Sequence, residues 1–332
     1  NYESGRQKFP PAAKWDFENS SNDSVFSSAT PAVSRLNPLP TAVGGQRRCS
    51  MFPFILPYIE QGTNKFDTKL QWNNVGNQGL DKNGQWIKTF ACPSLKSPRF
   101  NLTGTPPAAH GDYAPVGGVN PSLVSTAGVA DRGNPQTKLG KYVTASSVRQ
   151  ADGSLTNLTE HTGIGRFEFL WKGFFEPVYQ LSEQTSTIVT VTDGTSNTIA
   201  VVEDADRVQW RVGRRPAAEF LTAAQGEVTT NPSFSLYDSN SADLNDDTFQ
   251  AANSLGGAPW AQPRNMILIE GWNNATYRFG GDCFVNCTNA SEIYSFHPGV
   301  VNVTMGDGSV RTIAESISKE TIVSLLTRAS ND

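Results

Sequence analysis

The sequence is short of charge. Only 17% of its 332 residues are Asp, Glu, Lys or Arg, below the roughly 25% of an average soluble protein. The 27 basic residues face 31 acidic ones for a formal net charge of −4, and they form no stripe. Because phosphate binding rests on clustered Lys and Arg, this excludes nucleic acid as a partner. Long apolar runs are also missing: no stretch approaches the ~20 residues of a membrane span. Histidine is scarce, with His110, His161 and His297 far apart, and the cysteines do not fall into the two close pairs of a structural zinc module. No Gly-x-Ser-x-Gly elbow displays a nucleophile. His297 and Asp307 stand at opposite ends of a predicted strand, which at ~3.3 Å per residue puts them beyond hydrogen-bond reach. These absences argue against an enzyme.

Uncharged polar residues fill the space left by charge, with 29 glycines and 20 prolines, a composition that reads as loop-rich and extracytoplasmic. The chain is read as one domain over 1–332, with loop-rich insertions at 103–165 and 222–262, where polar and turn-forming residues dominate. Four cysteines, Cys49, Cys92, Cys283 and Cys287, are disulfide candidates in an oxidising compartment, and three pairings are open to them. Cys283 and Cys287 can bridge one tight loop, which leaves Cys49 with Cys92. The alternatives pair each early cysteine with a late one, or leave buried thiols.

Asp243, Asn245 and Asp247 open like a calcium loop, but Thr248 stands where the turn needs Gly and Ser254 where the bidentate Glu belongs, so an EF-hand is excluded. A looser calcium site on these residues, or on Glu203, Asp204 and Asp206, is the only cofactor the sequence suggests. The seven tryptophans are core or loop anchors, or else sugar-stacking platforms.

Met51 to Gln61 is dense in large apolar residues, with Pro57 placed for the first turn of a short helix. Phe167–Trp171, Thr187–Thr192 and Thr198–Glu203 carry strand chemistry, and Asp193-Gly194 separates the last two as a turn. Val300–Met305 and Ser309–Ile313 flank Gly306-Asp307-Gly308 and predict a hairpin. Ser318 is placed as the N-cap of a closing helix, with Ile317 and Ile322 as its hydrophobic staple.

Several blocks resemble one family in order and along nearly the whole chain. They are Asn1-Tyr2-Glu3-Ser4-Gly5 with Lys8-Phe9-Pro10-Pro11-Ala12, Pro57-Tyr58-Ile59-Glu60-Gln61, Phe90-Ala91-Cys92-Pro93-Ser94, Thr192 to Ile199 with Glu203, and Asn286-Cys287-Thr288-Asn289. The closing signature is His297-Pro298-Gly299, then Asp307-Gly308 nine residues after the histidine. Together they resemble the planctomycete-type pseudopilin-like family, DUF1559. Met305-Gly306 and Val300-Val301 depart mildly from its usual residues.

The resemblance implies an α+β, strand-dominated, pilin-like head on an antiparallel sheet, made with a prepilin-type leader and an N-terminal anchor helix that precedes Asn1. It marks Asp193, Gly194, Asn197, Glu203, His297, Pro298, Gly299, Asp307 and Gly308 as structural signature residues. It implies a subunit of a type IV pilus-like or type II secretion-like filament at the cell envelope, anchored in the inner membrane before assembly. Its partners would be other pilin-like subunits and the membrane. An older label of the family invokes extracellular solute binding, so the alternative is a surface module for a glycan or other solute.

Overall fold

The computed structural model describes residues 2–16, 46–70, 72–95, 100, 108–119, 147–149, 155–157, 171–175, 178–179, 185–217, 257–269, 271–275, 278–279, 281–290 and 292–328. The strands are β1 (Ala13–Asp16), β2 (Gln46–Ser50), β3 (Tyr113–Val119), β4 (Ser147–Arg149), β5 (Leu155–Asn157), β6 (Trp171–Lys172), β7 (Val178–Tyr179) and β8 (Ile199–Glu203). They continue as β9 (Arg211–Val212), β10 (Arg215–Pro216), β11 (Ile267–Ile269), β12 (Trp272–Asn273), β13 (Arg278–Phe279), β14 (Val300–Met305) and β15 (Val310–Ala314). Among the described residues, three short α-helices accompany them: α1 (Tyr2–Arg6), α2 (Phe52–Ile55) and α3 (Lys319–Leu326). The fold is therefore α+β and strand-dominated.

Its centre is a six-stranded sheet in the order β11-β3-β8-β14-β15, with β6 also paired to β3. All neighbours are antiparallel except β11 and β3, which run parallel. Alternation along β14 turns Val301, Val303 and Met305 into the core and leaves Val300, Asn302 and Thr304 less covered, the period of two that strand pleating imposes. Helix α3 lies over β3 and β8. Its Ile322, Val323 and Leu326 join Ala114, Val116, Ile199, Val202, Val303 and Ile313 in one apolar cluster. Ser318 caps the helix by accepting from the Thr321 N–H at 3.3 Å, and Ile317 packs against the cluster that holds Ile322, completing the staple.

The β14–β15 hairpin expected from the sequence is present. Gly308 takes φ +84° in its turn, a conformation that glycine adopts without steric cost. Gly306 is small for another reason: a Cβ there would run into the Phe174 ring. A second core gathers Met51, Phe52, Leu56, Phe90, Phe174, Trp260 and Met266. Phe90 stacks against Phe52 at 4.3 Å and against Trp260 at 5.8 Å between centroids. The apolar 51–61 segment thus enters the core as α2, continued by a 3₁₀ turn over Leu56–Tyr58 with Pro57 in its first positions.

Three expectations are corrected. Thr187–Thr192 is not a strand: Ile188–Thr190 forms a 3₁₀ turn, with Ile188 and Val189 largely exposed. The Thr187 N–H donates to Thr190 Oγ1 at 3.0 Å, and that hydroxyl donates back to the Thr187 carbonyl at 2.8 Å. Such local side-chain bonds outcompete a ladder here, where no strand among the described residues pairs with this segment. The 103–165 insertion contains β3, a central strand whose Ala114, Val116 and Val119 are buried. Pro115, Gly117 and Gly118 disguise it, because Pro cannot donate to a ladder and Gly weakens strands. Yet the close approach of Gly173 to the Val116 carbonyl and Gly118 amide leaves no room for a side chain on Gly173. The end of the 222–262 insertion is likewise core, with Trp260 and Ala261 fully buried. The remainder of both insertions lies mainly outside the described residues, as do Asp243, Asn245 and Asp247. Among the described residues, no helix is long and apolar enough to cross a membrane.

Candidate functional site

The signature residues sort to the two ends of one strand pair, β8 and β14. At the first end, Thr192 to Thr198 folds as a turn: Gly194 takes φ +93°, the Asn197 amide donates to the Asp193 carbonyl at 3.1 Å, and Thr198 Oγ1 donates to the Gly194 carbonyl at 3.1 Å. The hairpin tip docks on it, the Gly306 N–H donating to the Thr198 carbonyl at 2.8 Å and the Asp307 N–H to Thr195 at 3.1 Å. Asp307 serves its own turn, its Oδ1 accepting from the Ser309 N–H at 2.9 Å and from Ser309 Oγ at 2.7 Å. These bonds hold its carboxyl below the usual carboxylate range.

The other end carries the chemistry. Glu203 closes β8 and is 1% exposed. The β8–β14 register stops at Val202 opposite Val303, and the Glu203 side chain takes over, Oε2 accepting from the Asn302 N–H at 2.8 Å. Its Oε1 lies 3.3 Å from His297 Nε2 and accepts from Cys92 Sγ at 3.7 Å. The ligand-type atoms of Cys92, Glu203 and His297 all lie within 4.8 Å of one another. The Cys92 and Glu203 side chains are buried, whereas that of His297 is 28% exposed.

Each member is held from outside. The Cys92 N–H donates to Asp112 Oδ2 at 2.8 Å, while Asp112 Oδ1 accepts from the Asp206 N–H at 3.1 Å. The His297 loop is pinned by Arg214, which donates to the Phe296 carbonyl at 3.0 Å and to the His297 carbonyl at 2.9 Å. Gly299 turns that loop at φ +73° into β14. Tyr113 pairs with Glu203 across β3 and β8. Burial, and then the charge of Glu203, push its hydroxyl well above its ordinary value.

Behind this cluster, Asp204 and Asp206, the carboxylates offered with Glu203 as a calcium site, are each paired with an arginine. Arg207 Nε donates to Asp204 Oδ2 at 2.5 Å and its Nη1 to the carbonyls of Gly257 and Asn265. Burial nevertheless pushes Asp204 up to about 7, against the lowering by Arg207. Arg211 Nε donates to Asp206 Oδ2 at 2.6 Å and lies over the Phe296 ring. Asn289, from the Asn286-Cys287-Thr288-Asn289 block, gives its amide to the carbonyls of Ala205, Asp206 and Gln209.

Cys283 and Cys287 form a disulfide. Cys49 and Cys92 do not pair with each other and are buried thiols, correcting that expected bridge. Cys49 lies in β2 within the aromatic core, whereas Cys92 is held by Asp112 with its sulfur on Glu203. Trp72, Trp210, Trp260 and Trp272 are buried, so these four are core anchors and not sugar platforms.

Cys92, Glu203 and His297 stand in three separate sequence blocks, and sequence reasoning did not join them. One signal was available for two of the three: in an antiparallel pair, the end of one strand lies beside the start of the other, which places Glu203 near the residues just before Val300.

No curated protein and no solved structure matches the chain. A family model described as a protein of unknown function, DUF1559 (SBP_bac_10), matches residues 1–320. As that match covers nearly the whole chain, the chain belongs to the DUF1559 family.

Proposed function

We propose that the chain is a pilin-like structural subunit of an envelope filament, of the type IV pilus or type II secretion pseudopilus kind. Its head stands on the periplasmic or extracellular side, it has no catalytic role, and its partners are other pilin-like subunits and the membrane. The observation that carries this reading is the way the chain runs into the head. Helix α1 buries none of its residues and touches the head by its edge, Tyr2 meeting Tyr58 at 5.6 Å between ring centroids. Phe9 then seats against Phe174 at 4.5 Å, and the chain passes into β1. A surface helical turn leading into a sheet-built head suits a subunit that assembles through an N-terminal helix while displaying its sheet.

Immunogold electron microscopy of native envelopes, with antibodies raised against residues 46–328, tests the reading. Label along envelope-attached filaments is expected, together with an N-methylated mature terminus by mass spectrometry. Label absent from the envelope, with the protein free in the medium and retained on a polysaccharide column, would overturn it in favour of the solute-binding alternative.

A further inference from the structure

We propose that Cys92, Glu203 and His297 together bind one thiophilic divalent cation, zinc by preference, each residue giving a single ligand atom. The distances fit. Around a tetrahedral zinc, with bonds of about 2.0–2.3 Å to N, O and S, ligand atoms stand roughly 3–4 Å from one another. Glu203 Oε1 lies 3.3 Å from His297 Nε2 and 3.7 Å from Cys92 Sγ. The donor set selects the metal: thiolate with imidazole and one carboxylate suits zinc, whereas calcium and magnesium require oxygen ligands.

Charge points the same way. Glu203 is a buried carboxylate, and among the described residues no Lys or Arg forms a salt bridge with it; its Oε1 faces the His297 imidazole. A dication balances one carboxylate and one thiolate in this interior. Binding forms the zinc–sulfur bond and releases the thiol proton to water.

A nucleophilic reading fits less well. The Cys92 thiol donates to Glu203 and not to the His297 imidazole, and an anion there disfavours the thiolate that nucleophilic attack requires. A metal reverses that, since a coordinating thiol is deprotonated outright.

The site is also built in advance. Glu203 is oriented by the Asn302 N–H, Cys92 by Asp112 and the His297 loop by Arg214. Outer contacts of this kind fix ligand geometry in metal sites. Partial exposure of His297 leaves a path for the ion and for a water in the fourth position.

The test is titration of the chelator-treated full chain with Co²⁺ alone, followed by competition with Zn²⁺. One equivalent per chain is expected, with a thiolate-to-cobalt charge-transfer band that zinc abolishes and a melting temperature that rises with added zinc. Cys92→Ser should remove the band, His297→Gln should weaken binding about tenfold or more, and Cys49→Ala should leave the band in place. Should Cys92→Ser fail to fold by circular dichroism, His297→Gln at its partly exposed position decides. Absence of the band at millimolar cobalt, cobalt bound without it, or a band and affinity unchanged in His297→Gln would each overturn the proposal.

Discussion

Glu203 Oε2 accepts the Asn302 backbone N–H at 2.8 Å, opposite the place where the β8–β14 ladder ends. A side chain thus satisfies an amide that the next strand pair would have served. Glu203→Ala leaves that amide without its acceptor, for an expected loss of about 1–3 kcal/mol. Glu203→Gln keeps an acceptor oxygen and should lose less. Urea unfolding of both variants checks the order, and equal stability of Glu203→Ala and the wild type would show that this bond does not matter to the fold.

Gly306 and Gly308 are glycines for different reasons, and their alanine variants should behave differently. Gly306→Ala drives a Cβ into Phe174, with an overpacking cost of about 1–3 kcal/mol. Gly308→Ala meets nothing in space but is held at φ +84°, for about 1–2 kcal/mol of backbone strain. Pairing each with Phe174→Leu separates them: the smaller side chain should rescue Gly306→Ala and not Gly308→Ala. Equal rescue of both in thermal melts would contradict the assignment.

Arg207 serves Asp204 and the carbonyls of Gly257 and Asn265 at 2% exposure. Arg207→Met leaves the buried Asp204 carboxyl and the two carbonyls without their donor and should cost about 1–3 kcal/mol. The double variant Arg207→Met, Asp204→Leu should recover part of it, since an apolar replacement removes the unpartnered buried carboxyl as well. A double variant no more stable than the single would mean that the carbonyl contacts, not the ion pair, carry the effect.

Thiol accounting checks the cysteine assignment. Cys49 and Cys92 are both fully buried, so iodoacetamide should modify the native chain slowly and two thiols per unfolded chain. Non-reducing peptide maps should show Cys283 linked to Cys287. A peptide joining Cys49 to Cys92 would contradict the structure.

Asp307 has its carboxyl lowered, first by the Ser309 hydroxyl and then by the Ser309 amide. A folded-state value below the unfolded one stabilises above the unfolded value, and the gain is lost as pH falls through the folded value. The stability difference between wild type and Asp307→Asn should therefore be present at neutral pH and shrink below about pH 4. A difference that stays constant from pH 7 to pH 2 would exclude the charge as its source.

The C-terminal hairpin and its following helix were legible because local signals agree there. Alternation in Val300–Met305, glycine at the turn and the Ser318 cap all specify the same path. Strand β3 was hidden because its place in the sheet is set by its neighbours: small residues at Gly117, Gly118 and Gly173 allow close contact but carry no strand signature. Thr187–Thr192 misled in the opposite sense, since β-branched residues favour a strand only where a partner strand exists. Glu203 and His297 were recognisable one by one, but their meeting depends on the pairing of β8 with β14. Cys92 joins them through Asp112, just ahead of the disguised strand β3, so nothing local in the sequence announced it.

The order β3-β8-β14 has a consequence for synthesis on the ribosome. One neighbour of β8 is already translated when it emerges, but the other, β14, is supplied only near the C-terminal end of the chain. Throughout that interval the nascent protein carries an open sheet edge, the kind of surface that templates intermolecular pairing. Closure of that edge waits for the β14–β15 hairpin, so a chain stopped before Val300 would be released with a sticky flank in place of a paired strand.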